Sequence, residues 1–373
     1  MTAVAFLNGH IDLLAGDFDI TVVCNFDGSE NAISSHAKTV NIQISRNISL
    51  VSDLSAIWNL TRFLRKNEFV IAHSVSPKAG LITAVSGWLA RTPIRIHWFT
   101  GQVWALMQGP KRSLLKNLDR LIGLLATAVL VDSPSQREFL LEQRVIKASK
   151  SAVLGAGSIS GVDTKRFRPN LKSRNAIRKE LGIEDPQTPV ILFVGRLSKA
   201  KGIDTLLEVF ASGELTNDPF LILVGPDEDS YTSRLSKMLG TQTDRSRYIE
   251  FTPEPERYMA AADIFCMPSL REGFGLSIIE AGSVGLPTIA SRIYGITDAI
   301  EDQSTGILIT PGCHLELLAA LNRLLIDSTE RTTMGARARK RVADLWEARN
   351  LEARLKSYYE MEMQSASDTG AFS

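Results

Sequence analysis

The sequence predicts an α/β protein of two similar lobes, each a parallel sheet covered by helices on both faces. Three observations carry this expectation. The chain has 373 residues, more than a single core of roughly 250–300 residues holds and comfortable for two. Apolar runs of strand length alternate with helix-period segments throughout, the pattern of a parallel sheet with crossover helices. The alternation then restarts after a polar, proline-bounded stretch at residues 167–189.

In the first half the runs at 19–24, 40–44, 69–73, 94–98, 128–131 and 152–154 read as strands. In the second half the corresponding runs are 190–194, 220–224, 248–251, 264–267, 288–290 and 306–309. Residues 332–363, rich in Ala, Arg, Leu and Glu, read as one or two helices, and the small, polar tail at 364–373 reads as frayed. The beginning is unusual. A doubly wound lobe ordinarily opens on a buried strand and a glycine-rich turn, yet residues 1–14 read as a helix, with only 2–6 as a strand remnant. Either the first lobe is trimmed or translation starts further upstream.

Hydrophobic residues at 44% and charged residues at 22% exclude a disordered, collagenous or coiled-coil chain. With 42 Lys+Arg against 41 Asp+Glu the formal net charge is +1, so bulk capture of nucleic acid is not indicated. Cys24, Cys266 and Cys313 are too few and too scattered for a disulfide framework or a zinc site, which favours a reducing, cytosolic setting. The first residues carry no basic segment followed by a long apolar core and do not read as a signal peptide. The most apolar stretch, 121–131, is about half the ~20 residues a membrane-spanning helix needs.

The most informative segment runs from Asp263 to Gly282. A buried strand leads into a loop with Glu272, Gly273 and Gly275, followed by a helix holding Glu280 in its first turns. Backbone amides at a helix start behind two glycines suit a phosphate or a sugar hydroxyl, and carboxylates beside them accept hydrogen bonds from polyols. A generic strand-to-helix turn is the alternative. The second element, Val194 to Gly202, also follows a strand. It brings Arg196 and Lys201 to the carboxyl ends of the strands, where open α/β sheets bind ligands, and two cations there suit a diphosphate. The alternative for each is an ordinary solvated surface charge.

These residues carry a family resemblance. The sequence resembles the retaining glycosyltransferases of family 4, which have the GT-B fold of two facing Rossmann-like lobes. The similarity runs through residues 194–202, Leu223-Val-Gly-Pro226, residues 258–263, Pro268-Ser269, the pair Glu272 and Glu280, and Gly285-Leu-Pro287. In the first lobe it continues through His73 with Pro77-Lys78-Ala79-Gly80, Asp132-Ser-Pro-Ser135, and Gly157 to Asp163 with Phe167 and Pro169. The first-lobe wording looks most like the subgroup that extends lipid-linked oligosaccharides for bacterial capsule, exopolysaccharide, O-antigen or protein glycosylation.

The resemblance implies an N-terminal acceptor lobe over 1–168, a C-terminal donor lobe over 169–345, and a last helix within 346–373 that crosses back to the first lobe. It also implies closure of the lobes about a hinge near 167–189. The implied donor is a nucleotide-diphosphate sugar, with no metal and no other cofactor; the chain has no Asp-x-Asp. Glu280 would bind the ribose, Arg196 and Lys201 the diphosphate, and Glu272 with the amides around Gly273, Phe274, Gly275 and Leu276 the sugar. The base would lie against Gly225 and residues 251–253. Fixed cations and amide dipoles would stabilise charge developing on the β-phosphate as the leaving group departs. A first-lobe polar residue after the fourth strand usually faces the reacting carbon in such enzymes. That role would fall to His97, to Thr100, where relatives often carry His, Asp or Arg, or to neither.

From Arg91 to Glu180 there are 17 Lys+Arg and 6 Asp+Glu. Within that region Lys111, Arg112, Lys116 and Arg120 alternate with leucines at helical spacing, as in a basic amphipathic helix that lies on anionic lipid. Such a helix suits a polyprenyl-diphosphate-linked glycan acceptor and a cytoplasmic enzyme held peripherally on the inner membrane face. A surface helix with its leucines in the core is the alternative. Trp58, Trp88 and Trp346 read as packing residues, and Ser133 and Ser135 as strand-to-helix turn chemistry.

The leading expectation is a metal-independent, retaining transferase moving a hexose or N-acetylhexosamine, from UDP as the favoured carrier, to a membrane-held glycan. A hydrolysing UDP-sugar epimerase on the same fold and a non-catalytic partner in a polysaccharide assembly complex are the alternatives.

Overall fold

A computed structural model describes residues 2–26, 33–44 and 49–370, with side chains from residue 7 onward. The chain divides into two compact units, one made of Met1–Ser160 with Ala348–Ser373, the other of Gly161–Glu347. The boundary thus falls at Ser160, not near residue 168. Phe167 belongs to the second unit, where its carbonyl accepts a hydrogen bond from Ser283 Oγ at 2.6 Å. Trp346 stays there too, its carbonyl accepting from Val162 N at 2.8 Å.

The first unit opens on helix α1 (Thr2–Leu14), so residues 2–6 form helix and no strand remnant. Strands β1 (Thr21–Cys24) and β2 (Lys38–Asn41) pair parallel as a ribbon of two. They are followed by α2 (Leu50–Asn67), β3 (Ile71–Ser74), α3 (Pro77–Ala90), β4 (Ile94–Phe99), α4 (Gly109–Leu125), β5 (Ala128–Val131), α5 (Pro134–Glu142) and β6 (Ser151–Ala152). The last four strands form a parallel sheet in chain order, β3-β4-β5-β6. Its strand β5 is apolar without interruption because both of its faces are covered. Ala128 and Leu130 pack with Leu14, Ile96 and Trp98 on one side, and Val129 and Val131 with Trp104, Ile122 and Leu140 on the other.

The second unit carries α6 (Leu171–Glu180), β7 (Val190–Val194), α7 (Ile203–Ala211), β8 (Phe220–Val224), α8 (Leu235–Leu239), β9 (Ser246–Ile249), α9 (Pro255–Ala261) and β10 (Ile264–Met267). Then come α10 (Leu276–Val284), β11 (Thr288–Ser291), α11 (Ile296–Ala299), β12 (Gly306–Ile309), α12 (His314–Ile326) and α13 (Ser328–Leu345). Its six parallel strands stand in the order β12-β11-β10-β7-β8-β9, which is the doubly wound order with its reversal between β7 and β10. Asp263, just before β10, ties that junction: it accepts from Val190 N at 2.8 Å and from Arg174 at 2.8 Å.

Helix α14 (Ala348–Asp368) closes the chain within the first unit. Leu351, Leu355 and Tyr358 enter the core that holds Trp98, and Lys356 pairs with Asp17 at 2.6 Å. Among the described residues no helix is long and apolar enough to cross a membrane.

Candidate active site

In an open doubly wound sheet the crossovers on either side of the strand-order reversal run to opposite faces, and the divergence leaves a crevice at the carboxyl ends. Here that crevice lies between residues 195–202, leaving β7, and residues 268–275, leaving β10. The two loops are joined by Leu270 N donating to Ala200 O at 2.9 Å. Gly202 has φ +68, and a Cβ on it would stand 1.9 Å from Pro268 O, so only glycine lets the first loop pass so close to the second.

Lys201 and Glu272 meet as an ion pair across this crevice, both largely shielded from solvent. Ser269 Oγ donates to the same Glu272 oxygen at 3.1 Å. Gly275, with φ +87, caps the start of α10, whose first turn carries no acidic side chain. Its orphan amides and dipole therefore offer unopposed partial positive charge beside Glu272. Phe274 itself is buried edge-on against Trp346, ring centroids 5.5 Å apart, so at that position the backbone faces the loop.

Arg196 follows β7 directly, and its Nη1 donates to both carboxylate oxygens of Glu228, at 2.8 and 2.6 Å. The two residues are held together by their backbones. Leu197 N donates to Pro226 O at 2.8 Å and Glu228 N to Leu197 O at 3.1 Å. Lys199 N is held by Asp229 at 2.8 Å. Gly225 serves this clasp: at φ +134, any Cβ would stand 2.1 Å from Gly195 O. Its glycine is explained by that approach of two backbones. Phe251, after β9, is largely exposed.

Glu280 lies on α10, half-buried. Burial pushes its carboxyl up to about 7, with the positive charge of Arg166 opposing the shift and Glu256 adding to it. Arg166 donates to Glu256 at 2.8 Å and to Pro253 O at 2.5 Å. Arg166 and Glu228 were not singled out from the sequence, and Ser269 entered only within the Pro268-Ser269 similarity, with no role assigned. Arg166 lies between Asp163 and Phe167, inside the first-lobe similarity, and that position was its only signal; for Glu228 there was none.

The first-unit expectations fare differently. His97, near the end of β4, is 2% exposed. Its Nδ1 lies 2.9 Å from Ser74 Oγ, its ring stands edge-on to Phe99, and a Cβ on Gly80 would come 2.3 Å from its Cε1. Burial pushes its pKa down to about 3. His97 is a packed, neutral ring rather than a group presented to substrate, while Thr100 after it is half-buried.

On α4, Lys116 Nζ and Arg112 reach Gln143 Oε1 at 2.7 and 3.2 Å, and both stand over the buried Trp104 ring. Arg120 donates to the carbonyls of Gln143 and Arg144. Three of the four cations expected to face lipid thus hydrogen-bond at the end of α5, although Arg120, like Lys111, stays exposed. The basic region also proves divided, because its cations from Lys165 to Lys179 belong to the second unit. Arg166, Arg174 and Arg178 pair there with Glu256 and Asp263. Trp346 is buried as expected, whereas Trp58 and Trp88 are exposed and do not pack in the core. Ser133 caps α5, accepting from Gln136 N.

Known proteins share this fold. The glycosyl transferase 4-like domain matches residues 13–157, and glycosyl transferases group 1 matches residues 173–341. The capsular polysaccharide biosynthesis glycosyltransferase CapM of Staphylococcus aureus is 26% identical over 96% of this chain and 94% of its own. The Escherichia coli UDP-Gal:alpha-D-GlcNAc-diphosphoundecaprenol alpha-1,3-galactosyltransferase is 26% identical over 78% of this chain and 76% of its own. Among solved structures, Anabaena HepE in complex with UDP-glucose superposes with a TM-score of 0.79 at 20% identity, over 95% of both chains. The sucrose-phosphate synthase of Thermosynechococcus elongatus reaches 0.81 at 22%, over 98% of this chain and 94% of that one. The chain is therefore a glycosyltransferase of GT-B fold, with a 4-like domain in its first unit and a group 1 domain in its second.

Proposed function

We propose that this glycosyltransferase moves a hexose or N-acetylhexosamine, with retention and without a metal, from a UDP-sugar to a polyprenyl-diphosphate-linked glycan in bacterial surface polysaccharide synthesis. The observation that carries the reading is the crevice at the strand reversal. There Lys201, Glu272, Ser269 and the amide end of α10 converge, with Arg196 on the loop that carries Lys201. A departing diphosphate is a growing negative charge, and two cations plus oriented amides can supply the counter-charge. Glu272 suits a sugar hydroxyl, and Glu280 suits a ribose.

In the transfer the C1–O bond to the β-phosphate breaks and its electron pair stays on the diphosphate. The acceptor hydroxyl oxygen bonds to C1 on the same face, and its proton leaves to the diphosphate oxygen. No protein nucleophile is required. The names of CapM and of the E. coli galactosyltransferase support a surface-glycan, lipid-linked acceptor, and the UDP-glucose complex of HepE supports the uridine donor. The enzyme would act in the cytoplasm, in peripheral contact with the inner membrane face.

The test is incubation with a panel of labelled UDP-sugars and a bacterial membrane extract, with and without EDTA. EDTA-resistant transfer with anomeric retention is expected. UDP release that depends on no acceptor, or epimerised donor seen by proton NMR, would replace the reading.

A further inference from the structure

Gly273-Phe274-Gly275 leads the chain into α10, and this tripeptide has little rigidity of its own. Two glycines flank a single side chain, and glycine admits backbone conformations that other residues avoid. Within the tripeptide, Phe274 is therefore the one side chain through which the rest of the protein can fix these amides. Its ring is 3% exposed and stands edge-on to Trp346, centroids 5.5 Å apart and planes at 63°.

Trp346 is itself firmly held. It stands just past α13 and is 1% exposed. Its carbonyl accepts from Val162 N at 2.8 Å, and the next residue, Glu347, accepts from Thr164 Oγ1. The Arg341 guanidinium lies over the indole, 5.2 Å from the ring centroid, and Arg341 Nη2 donates to Asp298 O at 3.1 Å. Asp298 is on α11, and the glycine that opens α11 returns to the donor loop. At Gly295, with φ +81, a Cβ would stand 2.3 Å from Gly273 O and 3.1 Å from Phe274 N. The contacts close a circuit: from the 273–274 peptide to Gly295, along α11 to Asp298, through Arg341 to Trp346, and back to Phe274. Helix α13 also lies directly on the end of α10, where a Cβ on Gly335 would stand 2.0 Å from Gly285 O.

An aromatic that only fills a core needs apolar neighbours. This one is clasped between a guanidinium and the ring of the donor loop, and both links lead to the peptide between Glu272 and α10. Amides that stabilise a developing charge act as far as their positions are fixed beforehand, and a misplacement of about 1 Å can cost roughly 10²-fold in rate.

We propose that Trp346 is a positioning residue for the transfer: through Phe274, and braced by Arg341, it fixes the amides from Gly273 to Leu276 against the β-phosphate and sugar of the donor. This rests on the proposed function, in which those amides meet the donor, and adds a buried residue that acts through another.

The experiment measures steady-state UDP release from UDP-glucose, UDP-galactose and UDP-N-acetylglucosamine with a bacterial membrane extract, together with isothermal titration of UDP. Trp346→Leu should lower kcat with the donor that wild type uses by roughly tenfold to a hundredfold. Its Kd for UDP, which the proposed function assigns to Lys201, Arg196 and Glu280, should change less than about threefold, because the amides act mainly in the transition state. Trp346→Phe keeps an aromatic contact and should recover most of kcat. Phe274→Leu should show a loss of the same size, and the double variant should be no slower than either single one, since both changes break one contact. Arg341→Met leaves the indole in place but cuts it from Asp298, and should show the same split between kcat and Kd at roughly threefold, which tests the assignment even where Trp346→Leu unfolds. A lowered melting temperature with unchanged kcat per folded enzyme in Trp346→Leu and Arg341→Met would make Trp346 core alone and overturn the assignment. Multiplied losses in the double variant, or loss of UDP binding in step with kcat, would overturn it too, leaving the transferase in place. A wild type that releases UDP from none of the three donors and binds no UDP would overturn the proposed function and the assignment together.

Discussion

At the carboxyl ends of their central strands the two units place opposite kinds of side chain. The second unit puts full charges there, each cation met by a carboxylate: Lys201 with Glu272 and Arg196 with Glu228. The first unit puts rings there. His73 stacks on Trp98 and bonds Tyr359 of α14, His10 leans on the same indole, and His97 is wedged between Ser74, Phe99 and Gly80. Burial pushes both His73 and His97 down to about 3, so near neutral pH they are uncharged packing elements. Both sheets are parallel with helices between successive strands, so strand direction alone does not distinguish them. The strand-end residues of the second unit are paired charges that a charged ligand can engage, whereas those of the first unit are uncharged rings packed on one another.

The strongest way to break this contrast is to remove Glu272. Glu272→Ala deletes the sugar-hydroxyl acceptor and also strips Lys201 of its partner, and loss of one preorganised polar contact at a reacting centre costs about 10²–10³ in rate. We expect a drop of that order in kcat/KM, with Glu272→Gln intermediate because Ser269 keeps an acceptor. Lys201→Ala follows, with a loss of roughly tenfold to a hundredfold shared between donor KM and kcat. Both are read by UDP release under steady state. Unaltered kinetics for Lys201→Ala would remove the diphosphate assignment.

A methyl on Gly80 probes the other side of the contrast. It would stand 2.3 Å from His97 Cε1, against a ring with no room to move. Overpacking of this kind costs about 1–3 kcal/mol. Gly80→Ala should therefore lower the melting temperature by several degrees while leaving turnover of the folded enzyme unchanged. Lost turnover with an unchanged melting temperature would return His97 to the reacting centre.

Much of this difference was hidden in the sequence for physical reasons. The second unit was legible because its glycines are forced. Gly202 and Gly275 sit in left-handed backbone, and Gly202 lies against the facing strand-end loop, so glycine spacing fixed where Lys201 and Glu272 had to stand. The first unit was less so. Whether His97 faces solvent depends on the turn of one strand residue, and its neighbours Ser74 and Gly80 come from other elements. The α4 cations read as a lipid-facing row because spacing shows which residues share a helix face but not what that face meets, here the end of α5. Trp58 and Trp88 were misassigned by the converse error, since indole is common in cores and only packing shows that these two are left outside. The basic excess straddled residue 160 because charge counts ignore unit boundaries.

Glu280 sharpens the comparison from the side of pH. Burial holds its carboxyl up near 7, where an exposed glutamate titrates near 4.5. A raised folded pKa means that the folded state binds the proton more tightly. The stabilisation is therefore fully present below about 4.5 and is lost as pH rises through about 7. Thermal unfolding of wild type should show stability falling between those values, and Glu280→Gln should flatten that fall. Donor hydroxyls bonding the carboxylate favour its charged form, so UDP affinity should rise over the same interval in wild type and not in the variant. Isothermal titration at three pH values reads this directly.

The smallest effect is expected at the Arg196–Glu228 pair, and it separates holding a cation from competing for it. The pair is half-exposed, so Glu228→Gln should leave stability within about 1 kcal/mol. Nη1 alone contacts Glu228, leaving Nε and Nη2 to a diphosphate, and the backbone clasp from Leu197 to Pro226 fixes the geometry in advance. If Glu228 orients Arg196, its removal should weaken UDP binding about fivefold, the equivalent of ~1 kcal/mol, and leave binding of uridine unchanged. Tighter UDP binding by Glu228→Gln would instead make Glu228 a competitor that the diphosphate must displace. The two strand-end loops of the second unit would then be a site held closed by its own carboxylates rather than one prepared by them.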